Sequence, residues 1–280
     1  TTANNNTAVG RGCLTTNTTG ANNAGLGKDA LESNTTGSDN TLIGQDSGDS
    51  ITTGTQNVAV GSEALDALTT ANYNVAVGYG ALGLDTLGSK LVAVGHNALG
   101  NQNFTSATDS GNVAVGFSAL VANTTGAQNV AVGQSALATN TAGSRATAIG
   151  MNAFNNLNHT SSTNNYGVAI GYNAGNLVTT GLRNTIVGAL AADALTTGAD
   201  NTAVGVGALG ANTTASNNTA VGKDALTANT TGTQNTALGA LTLDAHTTGN
   251  NNTGLGYGAL SANTTATGNT AVGAVALVAN

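Results

Sequence analysis

Acidic residues at a constant spacing are the first residues of this sequence that could do chemistry. Asp29, Asp46 and Glu63 follow one another at intervals of seventeen residues, and Asp224 lies at the equivalent place of a later repeat. Acid and base catalysis needs such groups held together in a concave pocket, whereas a constant spacing spreads them along a regular surface. Because the sequence also has no nucleophile motif, phosphate-binding loop or paired carboxylates, we predict that the chain is not an enzyme and uses no cofactor.

Side chains that ligate metals are few and scattered. The three histidines, His96, His159 and His246, occupy unrelated places in the repeat, and no pair has the spacing of a metal site. An axial ion held by one histidine from each of three chains is the remaining alternative. The single cysteine, Cys13, excludes an intrachain disulfide, and it is predicted to be a small core residue because alanine takes its place in other repeats.

The constant spacing belongs to a repeat that covers the whole chain. The pattern Asn-Thr-Ala-Val-Gly-x-x-Ala-Leu, followed by a stretch rich in Thr, Asn and Gly, occurs sixteen times between Asn6 and Asn269 with a period of seventeen residues. We number the positions of one repeat from 1, the asparagine, to 17. Four-residue loop insertions lengthen two repeats, near 101–111 and 155–166. We therefore predict a single continuous array over 1–280, a segment of a longer fibre.

Charge argues against nucleic acid as a partner. The net charge is −7, and the chain has only six basic residues, which are Arg11, Lys28, Lys90, Arg145, Arg183 and Lys223. These are dispersed and form no basic face that could neutralise phosphates. The sequence also has no long apolar run, so we predict no membrane insertion in this segment.

The repeat itself predicts an all-β fold. Positions 1 to 5, as in 57–61 and 201–205, read as a short strand with alternating faces, and glycine at position 5 allows a bend with positive φ. Apolar residues return at positions 8 and 9, and Asn-Thr-Thr-Gly forms a corner. Such a unit fits one turn of a parallel β-solenoid of about sixteen coils. Asparagines at position 1 are predicted to form a structural ladder along it, namely Asn57, Asn74, Asn112, Asn129, Asn201 and Asn218.

The strand motif, as it stands in 57–61, 112–116 and 167–171, resembles the head repeat of trimeric autotransporter adhesins of the YadA-like group. The full unit also resembles repeat arrays of bacterial surface proteins and phage-type tail fibres. This resemblance covers the whole chain and implies a left-handed, homotrimeric β-roll. The unit here is longer than that of the adhesins, so handedness and trimer follow by analogy. At a three-fold axis we expect either the small face at position 3 or the aliphatic positions near Leu65 and Leu82.

Binding residues are expected where the repeat is interrupted or variable. Candidate receptor or glycan contacts in and beside the insertions are Phe104, His159 and Tyr166. At position 6, where size and charge vary most and exposure is expected, the candidates are Tyr79, Phe117, Tyr172 and Tyr257. The alternative for the insertions is that they pack over neighbouring coils.

These patterns together predict an extracellular structural fibre, a stalk or head segment of an adhesin or filament on a cell surface or virion. Its partners are expected to be itself, as a homotrimer or an end-to-end filament, and a host glycan or protein. The alternatives are a phage tail-fibre shaft, a self-assembling filament subunit, and a monomeric solenoid that binds a glycan or ice. Adjacent threonines such as Thr124 and Thr125 point to opposite faces, which disfavours an ice-binding lattice.

Overall fold

The computed structural model describes residues 2–278, and within them the chain is all-β, with eighteen strands and no helix. Sixteen of the strands cover positions 2 to 4 of successive repeats and pair in parallel. The prediction of a parallel β-solenoid with coils of about seventeen residues is therefore confirmed. The coils form two compact units, residues 1–143 with 160–162, and residues 144–159 with 163–280.

The first unit contains ten strands. They are β1 (Thr7–Val9), β2 (Ala24–Leu26), β3 (Thr41–Ile43), β4 (Val58–Val60), β5 (Val75–Val77), β6 (Gly88–Ser89), β7 (Val92–Val94), β8 (Thr108–Asp109), β9 (Val113–Val115) and β10 (Val130–Val132). Equivalent positions face each other, so that Val58 pairs with Val75 and Ala59 with Ala76. The two short strands β6 and β8 form a separate sheet, and β8 lies inside the first insertion.

The second unit contains eight strands with the same register. They are β11 (Thr147–Ile149), β12 (Val168–Ile170), β13 (Thr185–Val187), β14 (Thr202–Val204), β15 (Thr219–Val221), β16 (Thr236–Leu238), β17 (Thr253–Leu255) and β18 (Thr270–Val272). Thr202 pairs with Thr219 and Ala203 with Ala220.

Small residues and leucines fill the interior of each coil. Ala59 at position 3 and Leu65 and Leu82 at position 9 are completely buried within the chain, whereas Val60 at position 4 lies on the outside. The expectation that position 3 or the leucines near 65 and 82 face a three-fold axis is wrong, because the coil of a single chain already covers them. The aliphatic face of the strands is the outer one. Cys13 is buried as predicted.

Backbone geometry explains why the interior position 9 carries leucine and not valine. Leu65, Leu82 and Leu137 have φ angles of 56°, 51° and 52°, in the left-handed region. Residues branched at Cβ are strongly disfavoured there, and the sequence places none at position 9. Position 4 is extended strand, where valine and isoleucine fit well.

Glycine at position 5 is required for two reasons. Gly61 has a φ of 142°, which residues with a Cβ rarely adopt. A Cβ on Gly61 would also lie 2.5 Å from the carbonyl oxygen of Gly78 in the next coil. The bend expected at this corner is therefore present, and it brings adjacent backbones into direct contact.

Departures from the repeat inside the coil compensate one another in volume. Leu42 replaces the usual alanine at position 3, and Gly48 replaces the usual leucine at position 9; a Cβ on Gly48 would lie 2.1 Å from Leu42 Cδ2. Around Gly175 the space is taken by Phe154 and Ile186, each 2.9 Å from a Cβ built there. The interior is thus packed tightly across coils.

Candidate binding site

The six predicted ladder asparagines are structural. Asn57, for example, donates its backbone N–H to Asn40 Oδ1 at 2.9 Å and its Nδ2 to the same oxygen at 3.2 Å and to the Ala71 carbonyl at 3.0 Å. All six donate Nδ2 to the carbonyl fourteen residues further on; they are Asn57, Asn74, Asn112, Asn129, Asn201 and Asn218. Their amides are completely or almost completely buried and serve the corner of the coil.

Two of the predicted contact residues in the insertions are not exposed. Phe104 is 6% and His159 7% exposed, so the prediction that these two side chains contact a receptor or glycan is wrong, and the alternative that they pack against the coils fits both. Asn103 and Asn158 keep the backbone hydrogen bond that position 13 makes in other coils, and the residue that follows each of them turns inward. The Phe104 N–H donates to Asp85 Oδ1 at 3.2 Å, which anchors the turn.

The sequence reading missed Asn165, which replaces a ladder asparagine. Gly167 stands at position 1 where most repeats have asparagine, and Asn165 supplies the missing amide. Its Nδ2 donates to the Gly181 carbonyl at 3.0 Å, and its Oδ1 accepts from the Gly167 N–H at 2.7 Å. A Cβ on Gly167 would lie 2.3 Å from Asn165 Oδ1. The sequence indicates this replacement, because an asparagine lies two residues before the glycine that occupies position 1.

The remaining candidates of the second unit are on the surface. Tyr166 is exposed and accepts a hydrogen bond from Arg145 Nη1 at 2.6 Å, and the guanidinium carbon lies 5.5 Å from the centre of its ring. Tyr172 and Tyr257 are exposed at position 6. The structure does not bring these three tyrosines together into one site.

Tyr79 and Phe117 are brought together through His96. The centres of the Tyr79 and His96 rings are 5.3 Å apart, and those of His96 and Phe117 are 5.2 Å apart, with interplanar angles of 27° and 17°. Tyr79 is 47% and Phe117 54% exposed. We call these three residues of successive coils the aromatic stack; the sequence indicated its two ends as candidates and not the central histidine.

A cleft of about 340 Å³ lies beside the aromatic stack, and Tyr79 is one of its lining residues. Three other lining residues are glycines, Gly80, Gly83 and Gly100. In the coil that begins at Asn57, positions 7 and 10 are Glu63 and Asp66. In the following coil the same two positions are Gly80 and Gly83, which have no side chains, so the surface is recessed there.

The cleft has a negative end. Burial, together with the nearby carboxylates of Asp49, Asp46 and Glu63, raises the pKa of Asp66 to about 6. Interaction of the Tyr79 hydroxyl with the nearby Glu63 carboxylate is the main cause that raises the pKa of Tyr79. Asn97 and Asn101 add side-chain amides to the lining. The cleft thus combines hydrogen-bonding groups with an aromatic wall.

Among residues 2–278, no group of three or more His, Cys, Asp or Glu side chains is arranged to hold a metal ion. The same part of the chain contains no helix of the length and apolarity that crossing a membrane requires.

No known family model matches the sequence, and neither curated proteins nor solved structures give a match. Function is therefore inferred from the surfaces of the chain itself.

Proposed function

We propose that this chain is a structural segment of an extracellular fibre, the stalk or head of an adhesin, which associates with copies of itself as a homotrimer and mediates attachment to a surface. The observation that supports the proposal is the outer face of the strands. At position 4 it presents exposed aliphatic side chains in both units, including Val9, Leu26, Ile43, Val60, Ile149, Ile170, Leu238 and Leu255.

An uncovered aliphatic face is unusual for parallel strands. Parallel sheets in soluble proteins are normally covered on both faces, and contiguous exposed apolar surface marks an interaction site. Here the inner face packs against leucines of the same coil, such as Leu65, while Val60 and Ile43 remain on the surface. A partner is therefore needed for the outer face.

Copies of the same chain fit this requirement best. The face consists of the same few side chains repeated at every coil, and positions 2 and 4 carry no charged residue in any of the sixteen repeats. Most soluble oligomers are symmetric assemblies of identical chains. The number three comes from the resemblance to trimeric adhesins. Three chains would present identical loops, so that weak contacts with a host glycan or protein are strengthened by avidity.

Threonines at position 13 are engaged within the fold. Thr35 Oγ1 donates to the Thr52 carbonyl at 3.0 Å, and Thr124 Oγ1 donates to the Thr141 carbonyl at 3.0 Å. Hydroxyls that bond to the next coil contribute to its stability, which favours a structural fibre over an ice-binding surface. A tail-fibre shaft would use the same assembly as a spacer.

The proposal is tested by placing charge on the outer face. The double variant Val60→Asp and Val77→Asp alters position 4 of two adjacent strands, and Leu177→Asp is the control because Leu177 is exposed but lies outside the strands. We expect the double variant to sediment as a monomer with an unchanged circular dichroism spectrum, and the control to keep the mass of the wild type. An oligomer of wild-type mass in the double variant would contradict this interface.

A further inference from the structure

We propose that the cleft beside the aromatic stack is a binding site for a neutral oligosaccharide. The site lies in residues 63–121 and is formed by one chain. It deepens the glycan contact of the proposed function, because it gives that contact a place and restricts it to uncharged sugars, and it does not depend on how many chains assemble.

The dimensions of the cleft suit a small carbohydrate. Its volume of about 340 Å³ falls within the range of roughly 300 to 1,000 Å³ that is typical of small-molecule sites. Gly80, Gly83 and Gly100 leave backbone as part of the lining, so a ligand can approach closely. Leu84, which is exposed and also lines the cleft, offers an apolar contact for the C–H groups of a sugar ring.

The polar lining suits hydroxyl groups. Glu63 and Asp66 accept hydrogen bonds, and the amides of Asn97 and Asn101 both donate and accept. Sugar hydroxyls also do both, and adjacent hydroxyls can share one carboxylate. Because no lysine or arginine lines the cleft, carboxylated sugars would be repelled. The charge of the lining thus provides selectivity as well as affinity.

The aromatic stack holds Tyr79 in place before a ligand arrives. His96 lies between Tyr79 and Phe117 and has a ring on each side, whereas Tyr79 has a ring partner on one side within the part of the chain that the structure describes. The Glu63 carboxylate lies close enough to its hydroxyl to raise the pKa of Tyr79, and both groups line the cleft. Groups that are already ordered bind with a smaller loss of entropy.

The second unit supplies matched controls. Tyr172 occupies position 6, as Tyr79 does, and Asp193 occupies position 10, as Asp66 does. Burial raises the pKa of Asp193, as it does for Asp66, but Asp193 does not line the cleft. A substitution that acts only through folding should have similar effects at both members of each pair.

The experiment is a binding screen of the full chain against cello-, malto-, chito- and manno-oligosaccharides, with oligogalacturonate and sialyllactose as acidic probes, followed by calorimetry on the strongest ligand. We expect a neutral oligosaccharide to bind and both acidic probes to fail. Tyr79→Ala and Asp66→Ala should each weaken binding by about tenfold or more, whereas Tyr172→Ala and Asp193→Ala should leave it within about twofold of the wild type.

Absence of binding by every neutral probe would overturn the site, as would preference for an acidic probe or equal losses in the control variants. Measuring the mass of the same samples in solution shows which of the two proposals fails. If the wild type is an oligomer that binds no neutral sugar, only the saccharide site is refuted. If it is a monomer that binds a neutral sugar, only the assembly is refuted.

Discussion

The side-chain nitrogen of Asn57 lies 3.2 Å from Oδ1 of Asn40 and 3.0 Å from the carbonyl oxygen of Ala71. Asn57→Ala would remove the donor to the buried Ala71 carbonyl and the acceptor of the Asn74 N–H, whereas Asn40 Oδ1 would keep its bond from the backbone N–H of residue 57. Because an unsatisfied buried polar group costs about 1–3 kcal/mol, we expect a loss of free energy of unfolding of that order in urea denaturation. Asn101→Ala, an exposed asparagine outside the ladder, should change it by less than about 0.5 kcal/mol. Equal effects of the two substitutions would contradict the ladder.

Asn165 should matter for stability as much as a ladder asparagine does. Asn165→Ala removes the donor to the Gly181 carbonyl and the acceptor of the Gly167 N–H, and we expect a loss of about 1–3 kcal/mol. Asn164 is its exposed neighbour and gives the control Asn164→Ala. Thermal and urea denaturation of the two variants compare them directly, and a neutral Asn165→Ala would show that the insertion does not replace the corner amide.

The pair Leu42 and Gly48 predicts a strong coupling between two substitutions. Leu42→Ala alone should cost about 2–5 kcal/mol by leaving a cavity, and Gly48→Leu alone should be destabilising because its side chain meets Leu42. The double variant restores alanine at position 3 and leucine at position 9, the combination that Ala59 and Leu65 show. A double-mutant cycle should find the double variant more stable than either single variant; additive losses would contradict the compensation.

Strand positions and corners could be predicted because they depend on local residues that recur in every coil. Glycine at position 5 and asparagine at position 1 each have one physical role that the sequence expresses directly. The sequence could not tell which aliphatic column faces inward, since valine at position 4 and leucine at position 9 are equally apolar. The positive φ of Leu65 and its equivalents distinguishes them, and that angle is visible only in the structure.

The candidate contacts were harder to predict where the repeat is broken. Phe104 and His159 turn inward because the inserted residues change the course of the backbone after position 13. The seventeen-residue period of the repeat does not predict the course of inserted residues. Exposure at position 6 was predicted and is confirmed at Tyr79, Phe117 and Tyr172. The cleft itself depends on glycines in neighbouring coils, and its recess becomes apparent only when those coils are stacked.

The raised pKa of Asp66 predicts a pH dependence of stability. Its folded-state value of about 6 lies above the ordinary 3.8, so the unfolded chain releases this proton more readily than the folded chain does. This carboxyl therefore lowers stability progressively as pH rises from about 4 to about 6, with the full cost present above that range. Asp66→Asn should raise the melting temperature at pH 7.5, and the gain should disappear near pH 4. A gain that is independent of pH would contradict the prediction.

Coverage of the outer aliphatic face of the strands by copies of this chain fixes the mass that the protein should have in solution. Its most direct test is the mass of the full 280-residue chain in solution, measured by light scattering over a wide range of dilution. We expect about three times 26.9 kDa, unchanged on dilution. A stable monomer of 26.9 kDa would contradict it and favour a self-contained, ligand-binding solenoid, and polymers that grow with concentration would contradict the trimer in favour of end-to-end filaments.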